Sequence, residues 1–183
     1  MRVIAGSARR ISLATPKGDE TRPTTDRIKE TLFNIIQNDV IDCSFLDLFA
    51  GSGGIGIEAL SRGAKRAVFV ERSKDALACI SQNIEKTHFS DRAAVIPYDF
   101  KRALGRLGTE GNIFDIIFAD PPYRAGYETK ILAGLMDGKL IDENSLIILE
   151  TSADRDIDFA DGYEIVRIKE YKTNRHIFLR RKV

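Results

Sequence analysis

Phe45-Leu46-Asp47-Leu48-Phe49-Ala50-Gly51-Ser52-Gly53-Gly54-Ile55-Gly56 is the stretch whose reading decides the fold. An apolar run broken only by Asp47 reads as a buried strand, the glycines permit a tight reversal, and a helical pattern follows over 54–62. A strand that passes through glycines directly into a helix opens a βαβ unit. The same alternation continues downstream, with strands expected over 67–71, 93–97, 114–119 and 145–150 and helices over 74–86, 100–107 and 127–137. Ser73 is placed to cap the second of these helices, whose Leu77, Ile80 and Ile84 share a face. Near-continuous apolar strands joined by helices imply an α/β fold, a parallel, doubly wound sheet covered on both faces.

The two ends of the chain break this rhythm. Residues 2–5 and 9–13 read as a short hairpin around Gly6-Ser7, a Pro/Gly/Thr-rich connector follows over 15–24, and Thr24 or Thr25 is placed to cap a helix running to about Asn38. At the other end, segments 163–171 and 175–181 flank Thr173-Asn174 and predict an antiparallel hairpin at the sheet edge. The expected organisation is an N-terminal hairpin and helix over 1–40 ahead of one larger domain over 41–183.

Gly51-Ser52-Gly53-Gly54-Ile55-Gly56 satisfies the G-x-G-x-x-G spacing of dinucleotide sites, and Glu71 lies at the end of the next strand, where a carboxylate accepts from ribose hydroxyls. Asp47 argues against a dinucleotide, because a carboxylate at the first strand's end would repel a pyrophosphate. S-adenosylmethionine removes the conflict: it has no phosphate and carries an ammonium and a sulfonium. The candidate cofactor residues are Asp47, Phe49, Ala50, Gly51, Ser52, Gly53, Glu71, Arg72, Asp99 and Phe100, with Asp99 past the third strand positioned to accept from an adenine amino group. All lie at strand ends on one edge, where ligands of doubly wound sheets bind.

The fourth strand ends in Asp120-Pro121-Pro122-Tyr123. Prolines fix φ and offer no N–H, so the Asp120 carboxylate and the Pro121 carbonyl become rigid acceptors with no strand left to bond. Two acceptors beside an aromatic face fit an amine on a flat ring, with Tyr123 stacking and the nitrogen lone pair left toward an electrophile. Asp120, Pro121, Pro122 and Tyr123 are therefore the candidate catalytic residues.

Hydrophobic residues make up 43% of the 183 and no apolar run exceeds strand length, so neither a membrane span nor a secretory signal is expected and a cytoplasmic location is. Cys43, Cys79, His88 and His176 have no metal-ligand or disulfide spacing, so no metal is expected. The net charge is only +1, but seven Lys/Arg stand against four acids over 1–38, seven against Glu170 over 167–183, and 14 against 22 between. Basic ends on an acidic middle suggest a polyanion partner. Arg2, Arg9, Arg10, Arg22, Thr24 and Arg27 are the candidate nucleic-acid contacts, and Arg22 and Thr24 could instead close over the cofactor.

Arg2-Val3-Ile4-Ala5-Gly6, Thr21 to Arg27 with Lys29 to Asn34, Asp47 to Gly53, Glu58 to Ala64 and Asp120 to Tyr123 together resemble the RsmD family, bacterial 16S ribosomal RNA (guanine-N2)-methyltransferases. The resemblance spans essentially the whole chain, and residues 22–34 are its distinctive part. It implies a class I, Rossmann-like sheet in the order 3-2-1-4-5-7-6 with strand 7 antiparallel, S-adenosylmethionine as cofactor, and 16S ribosomal RNA or an assembling small subunit as partner. Rival readings are an amine methylase acting on DNA adenine N6 or protein glutamine, a non-catalytic ribosomal RNA-binding module, and an NAD-dependent oxidoreductase.

Overall fold

The computed structural model describes residues 1–16, 26–122, 126–154 and 162–182. Helix α1 (Asp26–Ile35) precedes the alternating series β1 (Ser44–Asp47), α2 (Gly54–Ser61), β2 (Arg66–Val70), α3 (Lys74–Lys86), β3 (Ala93–Ile96), α4 (Phe100–Thr109), β4 (Ile116–Ala119), α5 (Glu128–Asp137) and β5 (Leu146–Ser152). The antiparallel pair β6 (Tyr163–Glu170) and β7 (Asn174–Arg181) ends it. The seven strands lie in the order β3-β2-β1-β4-β5-β7-β6, with β7 antiparallel to β5, as expected.

Alternation along the strands builds two cores. Phe45, Phe118 and Ile148 face α1, α2 and α3 through Phe33, Ile57 and Ile80. Leu46, Ile117 and Ile147 face α4 and α5 through Leu104 and Leu132. Each fully buried side chain of this size contributes about 1.5–3 kcal/mol. Because β1, β2 and β4 run parallel, Asp47, Glu71 and Asp120 finish at the same edge of the sheet.

Several local expectations change. The N-terminal hairpin forms, joined by the Arg2–Ser12 bridge and by bonds from Val3 N–H to Ile11 C=O, Leu13 N–H to Met1 C=O and Arg10 N–H to Val3 C=O, but its arms are too short to make strands and residues 7–10 form turns. Beyond the bridge α2 takes the backbone over: Ala5 C=O accepts from Ser61 Oγ, Ser7 N–H donates to Ser61 C=O, and the Glu58 carboxylate takes the Ile4 and Ala5 N–H groups. A Cβ on Gly6 would lie 1.8 Å from Ser61 C=O, so the segment is pressed against the helix. Ser73 stands at the α3 N-cap but its side chain makes no cap bond; Glu71 Oε1 takes the Arg72 and Ser73 N–H groups instead. The edge turn falls at Lys172-Thr173, because Asn174 is drawn into β7 opposite Ser152. The expected caps Thr24 and Thr25 lie outside the described residues.

Candidate functional site

A cavity of about 1190 Å³ opens at the carboxyl edge of the sheet, between the ends of β1, β2, β4 and β5. It is lined by nine of the ten cofactor candidates: Asp47, Phe49, Ala50, Gly51, Ser52, Glu71, Arg72, Asp99 and Phe100. Asp120, Pro121 and Pro122 line the same space. The tenth candidate, Gly53, makes the reversal, with φ 81° at the N-cap of α2, a left-handed conformation that favours glycine. Three residues on, a Cβ at Gly56 would stand 2.3 Å from the Phe69 ring, so glycine there lets α2 lie against β2.

The carboxylates at this edge are more occupied than the sequence suggests. Asp47 is buried and its Oδ2 accepts from Gly56 N–H at 2.9 Å, tying β1 to the first turn of α2. Burial pushes its carboxyl up to about 7, against which the Gly56 bond works and to which nearby Glu71 adds. Glu71 spends Oε2 on Gly51 N–H at 2.9 Å and Oε1 on Arg72 and Ser73, closing the glycine turn with the oxygens expected to meet a ribose. Asp99 caps α4 through Oδ1, bonded to the Lys101 and Arg102 N–H groups.

Asp120 follows the last paired residue of β4 and is half-buried. Burial foremost, then the neighbouring charges of Glu150 and Asp47, hold its carboxyl well above the ordinary range. Pro121 is buried beneath it and Pro122 is exposed at the rim. Tyr123, expected as the stacking ring, lies outside the described residues, as do Arg22 and Thr24.

Sequence reasoning passed over four residues of this cavity or its floor. Tyr127 packs with Phe49 and Phe100, its centroid 6.5 Å from the first and 5.0 Å from the second, forming an aromatic wall. Glu150 and Asn174 line the inner end, and His176 sits fully buried behind them. Asn174 Nδ2 donates to Glu150 Oε1 at 2.6 Å, and His176 Nε2 lies 3.0 Å from Glu150 Oε2. The signal for Glu150 was present, since it ends an apolar strand as Asp47 and Asp120 do; Asn174 and His176 reach it only through the register of β7.

The basic candidates spread over a face rather than a point. Arg27 is exposed on α1, next to Ile28 and Lys29, which line the cavity. Arg2 is exposed and pairs with Asp26 at 2.9 Å. Arg9 and Arg10 are exposed beyond Ser7 and Ala8, which bond Ser61 at the far end of the eight-residue α2, about 12 Å along the helix from the glycine turn.

The family model described as "Conserved hypothetical protein 95" matches residues 1–180. A Bacillus subtilis protein, YlbH, provisionally named an rRNA methyltransferase, is 38% identical over 161 residues, 88% of this chain and 86% of its own length. The Ribosomal RNA small subunit methyltransferase D of Escherichia coli is 34% identical over 154 residues, 84% of this chain and 76% of its own. The structure of yhhF from Escherichia coli, provisionally titled a methyltransferase, superposes with a TM-score of 0.88 at 30% identity, covering 100% of this chain and 98% of that one.

Proposed function

The chain belongs to the RsmD family, and from that premise we propose that it transfers a methyl group from S-adenosylmethionine to the exocyclic N2 amine of a guanine in small-subunit ribosomal RNA. The observation that carries this reading is the convergence of two half-sites on one cavity: the glycine turn with Asp47 and Glu71, and the acceptor pair of Asp120 and the Pro121 carbonyl. The cavity exceeds the roughly 300–1,000 Å³ of a single small-ligand site, which suits a nucleoside cofactor and an extruded base together.

The donor chemistry of the cavity fits a cationic cofactor. Asp47, Glu71 and Asp99 line its cofactor half, a set that would repel a pyrophosphate and favours an ammonium and a sulfonium. Asp47 would face the cofactor's positive end, the aromatic wall of Phe49, Phe100 and Tyr127 would pack against its adenine, and Asp99 retains Oδ2 for a polar contact. When bound, S-adenosylmethionine supplies a methyl group made electrophilic by its attachment to a sulfonium.

The acceptor half is the work of β4 and the prolines. The guanine amine is a weak nucleophile because its lone pair is delocalised into the ring. Acceptor bonds to Asp120 and to the Pro121 carbonyl favour a pyramidal nitrogen, and the Asp120 carboxylate stabilises the positive charge that develops there. Pro121 and Pro122 supply no N–H to continue the strand, which leaves the Pro121 carbonyl available to the ligand. Tyr123 is proposed as the stacking face for the base. Arg2, Arg9, Arg10, Arg22 and Arg27 are proposed to grip RNA phosphates, with Thr24 among the substrate contacts. Residues 1–40 are proposed as the extension that carries this grip ahead of the methyltransferase domain over 41–183.

Incubation of the chain with labelled S-adenosylmethionine and unmethylated small subunits or 16S ribosomal RNA, followed by nucleoside mass spectrometry, tests the proposal. N2-methylguanosine is the expected product. N6-methyladenine in DNA or methylglutamine in protein, with ribosomal RNA unmodified, would overturn the substrate assignment and leave methyl transfer standing; NAD binding without S-adenosylmethionine binding would overturn both.

A further inference from the structure

Behind Asp120 the sheet carries a row of polar side chains where the rows before it are apolar. Phe118, Ile148 and Phe178 stand abreast on β4, β5 and β7. Two residues further along β4 and β5, and two back along antiparallel β7, the row is Asp120, Glu150 and His176: Ala119 pairs with Leu149 and Glu150 with His176. Neighbouring strands are about 4.8 Å apart and alternate side chains share a face, so Asp120 and Glu150 project side by side into the cavity. Glu150 is almost fully buried, and both of its oxygens are engaged, Oε1 by Asn174 Nδ2 at 2.6 Å and Oε2 by His176 Nε2 at 3.0 Å. His176 is held in turn by Tyr171 Oη, 3.3 Å from Nδ1, and by an edge contact with the Phe118 ring.

We propose that Glu150 is a positioning residue for Asp120: a carboxylate locked by Asn174 and His176, abreast of Asp120, through which Asp120 becomes the acceptor of the proton that the methylated amine must lose. The inference rests on the methyl-transfer reading above and goes beyond it in assigning the fate of that proton. As the nitrogen–carbon bond forms and the sulfur–carbon bond breaks, the nitrogen becomes cationic while sulfur leaves as a neutral thioether. One N–H bond then breaks, its electron pair stays on nitrogen, and the proton forms an O–H bond on Asp120, which later returns it to solvent. A solvent-exposed aspartate is too weak a base to hold that proton near neutral pH; burial raises the hold of Asp120 first, and a second fixed negative charge beside it raises it further.

The other charged groups near Asp120 do not supply this effect alone. Asp47, from β1, adds a smaller push in the same direction. Lys29, from α1, is committed to Glu58 at 3.2 Å. Asp99 and Lys101 stand at the start of α4 across the cavity, and His176, from β7, bonds Glu150.

Glu150→Gln tests the proposal with little steric change. The amide oxygen still accepts from Asn174, and its NH₂ donates to His176 once the imidazole adopts the other tautomer. The acidic limb of the single-turnover pH–rate profile is expected to move down by about one pH unit or more as the like charge is lost. The plateau rate is expected to fall about tenfold, part of what a positioned base contributes, with cofactor KM within about twofold because the substitution leaves the glycine turn alone. Glu150→Asp keeps the charge and should leave the limb near its wild-type position. A limb that stays in place in Glu150→Gln overturns the proposal. Carbon-13 NMR of the wild-type aspartate carboxyls gives a second readout that needs neither variant nor activity. Asp120 should titrate well above an ordinary aspartate, in two steps shared with Glu150; a single ordinary titration overturns the proposal. Absence of any methylated guanine from wild-type protein counts against the proposed reaction, whereas a normal product with an unmoved limb counts against Glu150 alone.

Discussion

Asp47→Asn separates stability from function at the cofactor half-site. The asparagine Oδ1 can keep the bond from Gly56 N–H, so the substitution removes a charge and little else. Burial raises the Asp47 carboxyl from 3.8 to about 7, and at ~1.36 kcal/mol per unit those roughly three units mean that folding with Asp47 ionised costs about 4 kcal/mol. Asp47 is 1% exposed, so solvent screening removes little of this. Between about pH 4 and pH 7 the folded state binds a proton that the unfolded chain has released, so wild-type stability falls as pH rises through that window and is level above it. The asparagine variant lacks this contribution and keeps the one of the same sign from Asp120, so the difference between the two proteins isolates Asp47. Urea unfolding without cofactor should therefore give similar stabilities near pH 4 and a variant more stable by up to about 4 kcal/mol at pH 8. Cofactor binding should move the other way, weaker by about ten- to a hundredfold for one lost charge-assisted contact. Calorimetry of wild-type protein at pH 7 in two buffers of different ionisation enthalpy should also detect proton release, as a cationic ligand restores the carboxylate. A wild-type stability flat from pH 4 to pH 7, or a variant no more stable at pH 8, would refute the account of Asp47 as a buried charge held for a cation.

Asp120→Ala should lower single-turnover methyl transfer by about a hundredfold or more while cofactor affinity stays within severalfold, because the lost acceptor meets charge that develops only in the transition state; near wild-type turnover would remove Asp120 from the mechanism. Glu58→Ala should destabilise the fold by about 3–5 kcal/mol in chemical denaturation, since it strands buried Lys29 and frees the Ile4 and Ala5 N–H groups; a loss under 1 kcal/mol would mean that the N-terminal segment is not held by this carboxylate. Arg9→Ala with Arg10→Ala should lower the salt slope of RNA binding by about two units and leave single-turnover rate unchanged, whereas Arg27→Ala, beside the cavity, should lower the slope by about one and the rate as well; an unchanged slope in filter binding would take these arginines off the RNA.

Local chemistry written along the chain was enough to determine the strand-and-helix series, the glycine turn and the acids that end β1, β2 and β4. Apolar periodicity sets which segments are strands, parallel connection puts their carboxyl ends on one edge, and prolines after Asp120 stop the strand wherever it sits. Packing alone decided what those groups touch. Glu71 and Asp47 give oxygens to the backbone of the glycine turn and of the helix after it because the loop closes over them, and the N-terminal hairpin stays short because Glu58 and Ser61 of α2 bond its Ile4, Ala5 and Ser7 backbone groups. The row of Asp120, Glu150 and His176 is the clearest case. It depends on the register of an antiparallel strand that returns 26 residues after Glu150, and a shift of one residue would turn His176 to the opposite face. Residue spacing carries no record of that pairing, which is fixed only when both faces of the sheet are buried.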